Sequence, residues 1–428
     1  MQLINKCLIL PNLYYQLQRY FTTFHGSAVK ISNIVPEFNL SYLLNPENTQ
    51  KIAENIARRK NVGDIEKVHE LARKLSHGTA EESTTKKQLE EELYKIPNDT
   101  HPDVINYGDE PKIVQFVNEK RSFPFKALQF AELCRKNNLL RMENLGNFSG
   151  HKSYYLLGDL AEFEQALLQF TVDRLSNYNF ELISVPDIVP SQIIEGCGFS
   201  TTGERNQVYK LDQSPLCLSG TAEMSLAAYF AGKSLPIESL PIKVMAVSRC
   251  YRAEVSGLQE ERGIYRVHQF SKVEMFGVAQ PIKSSELLEE FRHIQMELFK
   301  ELGLHFQILD MPPVELGAPA YRKYDIEALL ASRGNYGEIS SCSNCTDYQA
   351  RRLAIKTSSG EFPHTVNGTA CAVPRMLIAI LESFQNADGT ICVPDALRPY
   401  VSFEKMSRRK TIPQTKLVKK IDNPNFVG

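Results

Sequence analysis

The chain has 428 residues, 43% of them hydrophobic and 23% charged, with a formal net charge of −1. This length is ample for a sizeable core with a smaller domain beside it, whereas the near-neutral charge excludes a globally basic nucleic-acid binder, so any RNA contact must come from local patches. No run approaches the ~20 apolar residues of a membrane span, and nine scattered cysteines in a chain that needs no disulfide staples suit a reducing compartment.

Glu37 is the first acidic residue, and the segment before it carries Lys6, Arg19 and Lys30 among Tyr14, Tyr15, Tyr20, Phe21 and Phe24. An acid-poor, basic, aromatic-rich start has the composition of a mitochondrial transit peptide, expected here over residues 1–30. A helical pattern follows over 46–60, with Ile52 and Ile56 one turn apart. A second runs from Asp64 to Leu75, with Ile65, Val68, Leu71 and Leu75 on one stripe. Gly78 to Thr85 is expected to be a loop, and Thr85-Lys86-Lys87-Gln88 a capping box opening a third helix through Tyr94. Few apolar residues line these helices, which predicts a lightly packed short hairpin or arm. At 1.5 Å per residue, a helix of ~15 residues reaches only about 22 Å. Pro97-Asn98-Asp99 and His101-Pro102-Asp103 then force extended chain.

From about residue 125, long helices alternate with strands. Asp159–Ser176 is predicted helical, with Leu160, Phe163, Leu167 and Phe170 on one face, followed by a strand over Phe180–Val185. Pro241–Val247 is a short apolar strand. Ser284–Leu302 is a strongly amphipathic helix ended by Gly303. Leu304–Leu309 is another strand and Arg375–Phe384 a late apolar helix. The varied connections predict an α+β domain and lack the regular beat of a doubly wound parallel sheet.

The chemistry concentrates in Ser248–Phe276, SRCYRAEVSGLQEERGIYRVHQFSKVEMF. A strand, a glycine-bearing loop and a returning strand form a predicted hairpin. Alternation puts Arg252 and Glu254 on one face, and Arg266, Phe270 and Glu274 in register on the return. Two guanidinium groups on such a surface can clamp phosphates with bidentate, charge-assisted bonds, and an aromatic ring between them can stack on a base. A salt-bridged surface hairpin is the bland alternative, and it would not require this order of residues.

The run resembles motif 2 of class II aminoacyl-tRNA synthetases, and RGIYRVHQFSKVEMF is similar to the seryl branch. The resemblance extends over most of residues 88–402. KIPNDTHPDV (95–104) is similar to the exit from the family's N-terminal arm, and the helix from Asp159 with the strand ending at Pro186 to motif 1, which builds the dimer interface. Gly220-Thr221-Ala222-Glu223 resembles the serine-binding TxE loop, Gly337–Asn344 (GEISSCSN) a second substrate loop, and His364–Arg375 motif 3. The resemblance implies a class II antiparallel sheet flanked by helices, with a short helical tRNA-binding arm over 31–125, a catalytic domain over 126–404 and a basic tail over 405–428. It implies ATP-dependent activation of L-serine and its attachment to mitochondrial tRNA(Ser) in the matrix by a homodimer.

Carried onto matching positions, Arg252 would hold the ATP α-phosphate and the serine carboxylate, Glu254 would sit near the adenine amino group, Arg266 would bind the terminal phosphates and Phe270 would stack under adenine. Glu338 and Ser341 match positions holding Mg²⁺ with ATP. Arg375 would cover the adenine and reach the γ-phosphate. Thr221, Glu223, Glu274, Asn367 and Thr369, with Arg252, would form the serine pocket.

Several features invite a rival reading. Cys342-x-x-Cys345 has zinc-like spacing, yet one such pair without a second pair is a weak signal, and its position inside the substrate loop favours a non-metal role. His268 is expected to orient its neighbours and not to act as a base. Arg58, Arg59 and Lys60 in the arm and the basic residues of the tail suit an RNA backbone. The arm is shorter than in bacterial relatives, and Pro374 stands where many relatives have glycine. A catalytically silent paralogue acting as an RNA- or partner-binding protein is the alternative from another class; it should have lost the ATP arginines or the pocket acids, and all are present. A synthetase-like paralogue as a partner is also compatible with the sequence.

Overall fold

The computed structural model describes residues 34–78, 81–142, 152–203, 206–254 and 263–408. The expected transit segment and the tail beyond residue 408 lie outside the described residues.

The arm is built from α1 (Thr49–Arg58), α2 (Ile65–Ser76) and α3 (Glu82–Lys95). Asp64 caps α2, its side chain accepting the Lys67 N–H at 3.0 Å, which satisfies a donor that the helix itself cannot. The predicted capping box at Thr85 is not used: α3 begins three residues earlier, and Thr85 is buried within it. Nor is the arm lightly packed. Ile52, Ile56, Val68, Leu71, Leu89 and Leu93 bury their side chains together with Phe38, Leu40 and Ile96 from the flanking chain. The helical stripes alone understate this core because part of it comes from outside the helices. The short reach holds, with 12 and 14 residues in α2 and α3.

The expected arm boundary at residue 125 moves back, since β1 (Lys112–Val117) already pairs with the main sheet. Within the described residues the sheet contains β1, β2 (Glu181–Leu182), β3 (Ile242–Tyr251), β4 (Gln269–Ala279), β5 (Phe306–Asp310), β6 (Arg322–Leu330), β7 (Asn335–Thr346) and β8 (His364–Ala372), in the order β1-β5-β6-β7-β8-β4-β3-β2. All neighbours are antiparallel except β2 with β3. The strand predicted over 180–185 shrinks to β2, and that predicted over 241–247 lengthens to ten residues. Lys405 and Met406, assigned to the tail, pair with Ile391 and Cys392.

Helices α4 (Asp159–Asn177), α6 (Ser284–Glu301) and α7 (Val373–Ser383) cover one face of the sheet, and the intervening α5 (Ala222–Phe230) covers part of the other. In β4 the alternation is legible: Val273 and Met275 join the large core, whereas Phe276 and Val278 join the smaller one under α5. The close seat of α6 needs glycine beneath it, because a Cβ on Gly277 would lie 2.7 Å from Leu287 Cδ2. Gly303 ends α6 at φ +70°, a conformation that glycine takes without strain. Pro374 sits in the first turn of α7, where its missing N–H has no intrahelical partner to lose.

Arg59 corrects the expected basic RNA-facing cluster. It is buried, and its guanidinium donates to Asn98 O at 2.7 Å, to Gly317 O and to Ala318 O at 3.4 Å. Arg58 and Lys60 stay exposed and pair with Glu54 and Glu315. Asn98 continues the junction by donating to Pro319 O and Cys345 O at 2.8 and 2.9 Å. Arg352 stacks on Tyr348 with 3.3 Å to the ring centroid and also faces Phe38 of the arm. The arm is thus fastened to the core through buried charge-assisted bonds. Arg59→Ala is expected to lower stability by about 3 kcal/mol, since it strands buried carbonyls, while Arg58→Ala changes it by less than about 0.5 kcal/mol. Chemical denaturation of both variants checks this.

Candidate active site

The even-numbered face of β4 carries Phe270, Lys272 and Glu274 into a cavity of about 340 Å³. Every residue assigned from sequence to ATP, Mg²⁺ or serine lines it: Thr221, Glu223, Arg252, Glu254, Arg266, Phe270, Glu274, Glu338, Ser341, Asn367, Thr369 and Arg375. The expected strand alternation holds for Phe270 and Glu274 alone. Arg252, Glu254 and Arg266 lie beyond the strand ends, because β3 stops at Tyr251 and β4 starts at Gln269.

Loop contacts therefore aim these side chains. The Arg252 N–H donates to His268 O at 2.9 Å, and His268 Nδ1 lies 2.9 Å from Arg252 O and 2.8 Å from the Tyr209 hydroxyl. His268 thus secures the backbone of Arg252, the orienting role expected of it. The Arg252 guanidinium lies 5.2 Å from the Phe270 ring centroid, and its Nε donates to Gly220 O at 3.3 Å. Arg266 pairs with buried Glu254 at 3.7 Å.

Across the cavity, Arg375 enters from the first turn of α7. Its Nη1 is 3.1 Å from Glu338 Oε1 and donates to Glu338 O at 3.2 Å, and its guanidinium covers the Tyr265 ring at 4.7 Å. Burial pushes the Glu338 carboxyl up, but the cations of Arg375, Lys323 and Arg252 outweigh it and hold the group below its usual range. Lys323 lines the same wall, ion-paired with Asp325 at 2.8 Å. Burial pushes the Asp325 carboxyl up to about 7, against the pull of Lys323.

Another part of the lining is acidic and hydrogen-bonded. Gln349 Nε2 and Asn367 Nδ2 donate to Glu223 Oε1 at 2.7 and 2.5 Å. Thr369 Oγ1 donates to Glu274 Oε2 at 3.4 Å, and Lys272 forms an ion pair with the same carboxylate. Burial first, and then the negative charge of Glu274, push the Glu223 carboxyl up to about 7. From beneath the sheet, Gln295 of α6 donates to Ser341 O and Thr369 O at 2.9 Å each, fixing two strands that face the cavity.

Lys272, Gln349, Gln295, Tyr265 and Lys323 are not singled out by the sequence. Lys272 has a visible signal, sharing parity with Phe270 and Glu274; the others are joined to the site only by long-range folding. Cys342 and Cys345 lie three apart in β7 and face opposite ways, Cys342 into the large core and Cys345 toward the cavity. That geometry keeps the two thiols from sharing one metal ion.

A family model described as the tRNA synthetase class II core domain (G, H, P, S and T) matches residues 209–384. Sheet, hairpin and cavity together define a class II synthetase core. The mitochondrial serine–tRNA ligase of Bos taurus is 47% identical over 341 residues, 76% of this chain and 66% of its own length. That of Mus musculus matches to the same extent, so the chain spans just under two thirds of these relatives. The serine–tRNA ligase of Treponema denticola is 37% identical over 84% of this chain and 87% of its own. Among solved structures, seryl-tRNA synthetase from Pyrococcus horikoshii complexed with ATP superposes with a TM-score of 0.74 at 28% identity, covering 96% of this chain and 94% of that one. The cytoplasmic serine–tRNA ligase of Naegleria fowleri in complex with AMP also gives 0.74, at 28% identity over 86% of this chain and 98% of its own. The chain belongs to the seryl-tRNA synthetase family.

Folded Glu223 keeps its proton to about pH 7, whereas an unfolded glutamate loses it near 4.5. Between those values the folded state binds the extra proton, so this group's contribution to stability falls as pH rises from 4.5 to 7. Each tenfold difference in proton affinity between the two states is worth about 1.4 kcal/mol, which brings the fall to about 3 kcal/mol. Glu223→Gln is expected to flatten that part of the stability–pH curve, measured by urea unfolding.

Proposed function

We propose that this chain activates L-serine with ATP to seryl-adenylate and transfers the seryl group to mitochondrial tRNA(Ser), working in the mitochondrial matrix. The observation that carries the reading is one cavity with two chemically distinct halves. Arg252, Arg266 and Arg375 offer cationic forks, while Glu223, Glu274 and Thr369 offer a buried polar pocket. The first half suits a nucleotide triphosphate and the second an ammonium and a hydroxyl. The names of the bovine and mouse relatives support serine as the substrate and the mitochondrion as the compartment, and the ATP and AMP complexes of the two solved relatives support the nucleotide.

In the proposed reaction a serine carboxylate oxygen attacks the α-phosphorus, a P–O bond forms, and the bond to pyrophosphate breaks. No proton has to be removed from the nucleophile, so the protein acts by alignment and charge stabilisation. Arg252 would align the serine carboxylate with the α-phosphate, Phe270 and Arg375 would hold the adenine, with Glu254 at its amino group, and Arg266 the terminal phosphates. Glu338 and Ser341 would hold Mg²⁺ with ATP; an ionised carboxylate and a hydroxyl are hard oxygen donors, and Mg²⁺ on nucleotides takes its remaining ligands from phosphate and water. When bound, the ion would draw off charge developing on pyrophosphate. The serine pocket of Thr221, Glu223, Glu274, Asn367 and Thr369 rejects alanine because a missing hydroxyl leaves buried groups unpaired.

A homodimer is favoured by the exposed Ile113, Val114 and Phe116 on edge strand β1, by exposed Leu182 in the motif 1 region and by exposed Ile188 just beyond it. The silent-paralogue alternative finds no support, because none of the residues that it should have lost is missing. Arg252→Ala is expected to reduce serine-dependent ATP–pyrophosphate exchange at least about 100-fold, the loss typical for removing a preorganised transition-state donor; near-normal exchange overturns the assignment. Reversing exposed arm charges, as in Arg73→Glu/Lys74→Glu/Lys87→Glu, is expected to weaken tRNA charging severalfold while leaving exchange unchanged. Equal charging by this variant and the wild type would remove the arm from tRNA binding.

A further inference from the structure

Lys272 brings to the cavity a charge for which the reaction above has no use. Its side chain is buried at 6% exposure, ion-paired with Glu274 Oε2 and donating to Thr221 Oγ1 at 2.6 Å. It therefore lies between the two elements that wall the amino-acid pocket, strand β4 and the start of α5.

Charge balance gives this arrangement a meaning. Glu223 and Glu274 are both buried, and serine brings a single ammonium. Without a further cation, one ammonium would face two buried carboxylates, and Glu274 would compete with Glu223 for it. A Glu274 drawn to the ammonium would be lost as the acceptor for the serine hydroxyl. It would then no longer demand a donor hydroxyl on the substrate. Glu223 accepts from the neutral donors Gln349 and Asn367 on Oε1, so a bound ammonium is the cation that would draw this carboxyl, protonated to about pH 7 without it, into its ionised form.

We infer that Lys272 is the charge-balancing, specificity-positioning residue of the amino-acid pocket: it holds Glu274 as the acceptor for the serine hydroxyl and leaves Glu223 as the counterion of the serine ammonium. This rests on the serine-activating reading. Lys272 acts through Glu274 and does not itself touch the reacting atoms.

The test is ATP–pyrophosphate exchange by the full chain, with KM for serine and for ATP measured separately and kcat/KM compared for serine and alanine. Lys272→Met should raise the serine KM at least tenfold, move the ATP KM less than twofold, and lower the serine-to-alanine ratio at least tenfold. Lys272→Met/Glu274→Gln restores the charge balance and should have a lower serine KM than Lys272→Met alone. Lys272→Arg retains the cation and should keep the serine-to-alanine ratio within threefold of wild type, which leaves a decisive variant even if the methionine variant does not fold. Equal rises in both KM values with an unmoved ratio, a double variant weaker than the single one, or loss of the ratio in folded Lys272→Arg would each overturn the role of Lys272 alone. A wild-type chain with no serine-dependent exchange would overturn the activity, and the inference with it.

Discussion

A carboxylate taken out of water must find a cation or take up a proton, and the cavity is organised around that requirement. Around a space of about 340 Å³, Glu254, Glu274 and Glu338 are set against Arg266, Lys272 and Arg375, and Lys323 of the same wall pairs with buried Asp325. Each of these pairs would be weak as a contribution to folding, since desolvation offsets the attraction. Together they fix where charge sits in the cavity, and so which charged and hydrogen-bonding groups it can accept.

The sheet serves this arrangement. Its central antiparallel strands β7, β8 and β4 present acids and hydroxyls on one face while α6 and α7 bury the other. The loops after β3 and before β4 add the arginines, and the start of α7 adds Arg375. The arm is tied to the same region: Arg59 and Asn98 hold the carbonyls of Gly317, Ala318 and Pro319, residues that also line the cavity. A short arm with its own core, fastened at this point, sits on the wall of the site instead of hanging from a flexible tether.

Much of this is legible in the sequence, for different physical reasons. The helix from Ser284 follows from its 3.6-residue stripe and Gly303, and Phe270 with Glu274 from strand alternation. The positions of Arg252, Glu254 and Arg266 come from resemblance, because no periodicity describes a loop held by His268 and Tyr209. Arg59 misleads as a member of a basic run; burial by a segment more than 250 residues away is not a local property. The capping box at Thr85 fails for a similar reason: α3 is extended upstream, and Thr85 is taken into the arm core. Lys272 is easily passed over because a lysine in a strand reads as a solvated charge until its buried partners are known.

If a single cavity reads the adenylate and the serine hydroxyl at once, an adenylate that lacks the hydroxyl must bind poorly. Calorimetric titration with non-hydrolysable sulfamoyl analogues of seryl-adenylate and alanyl-adenylate tests this directly. The seryl analogue is expected to bind at least about 100-fold more tightly than the alanyl one, as a pocket built to pair a hydroxyl requires. Equal affinity for the two, or no binding of either, would contradict it.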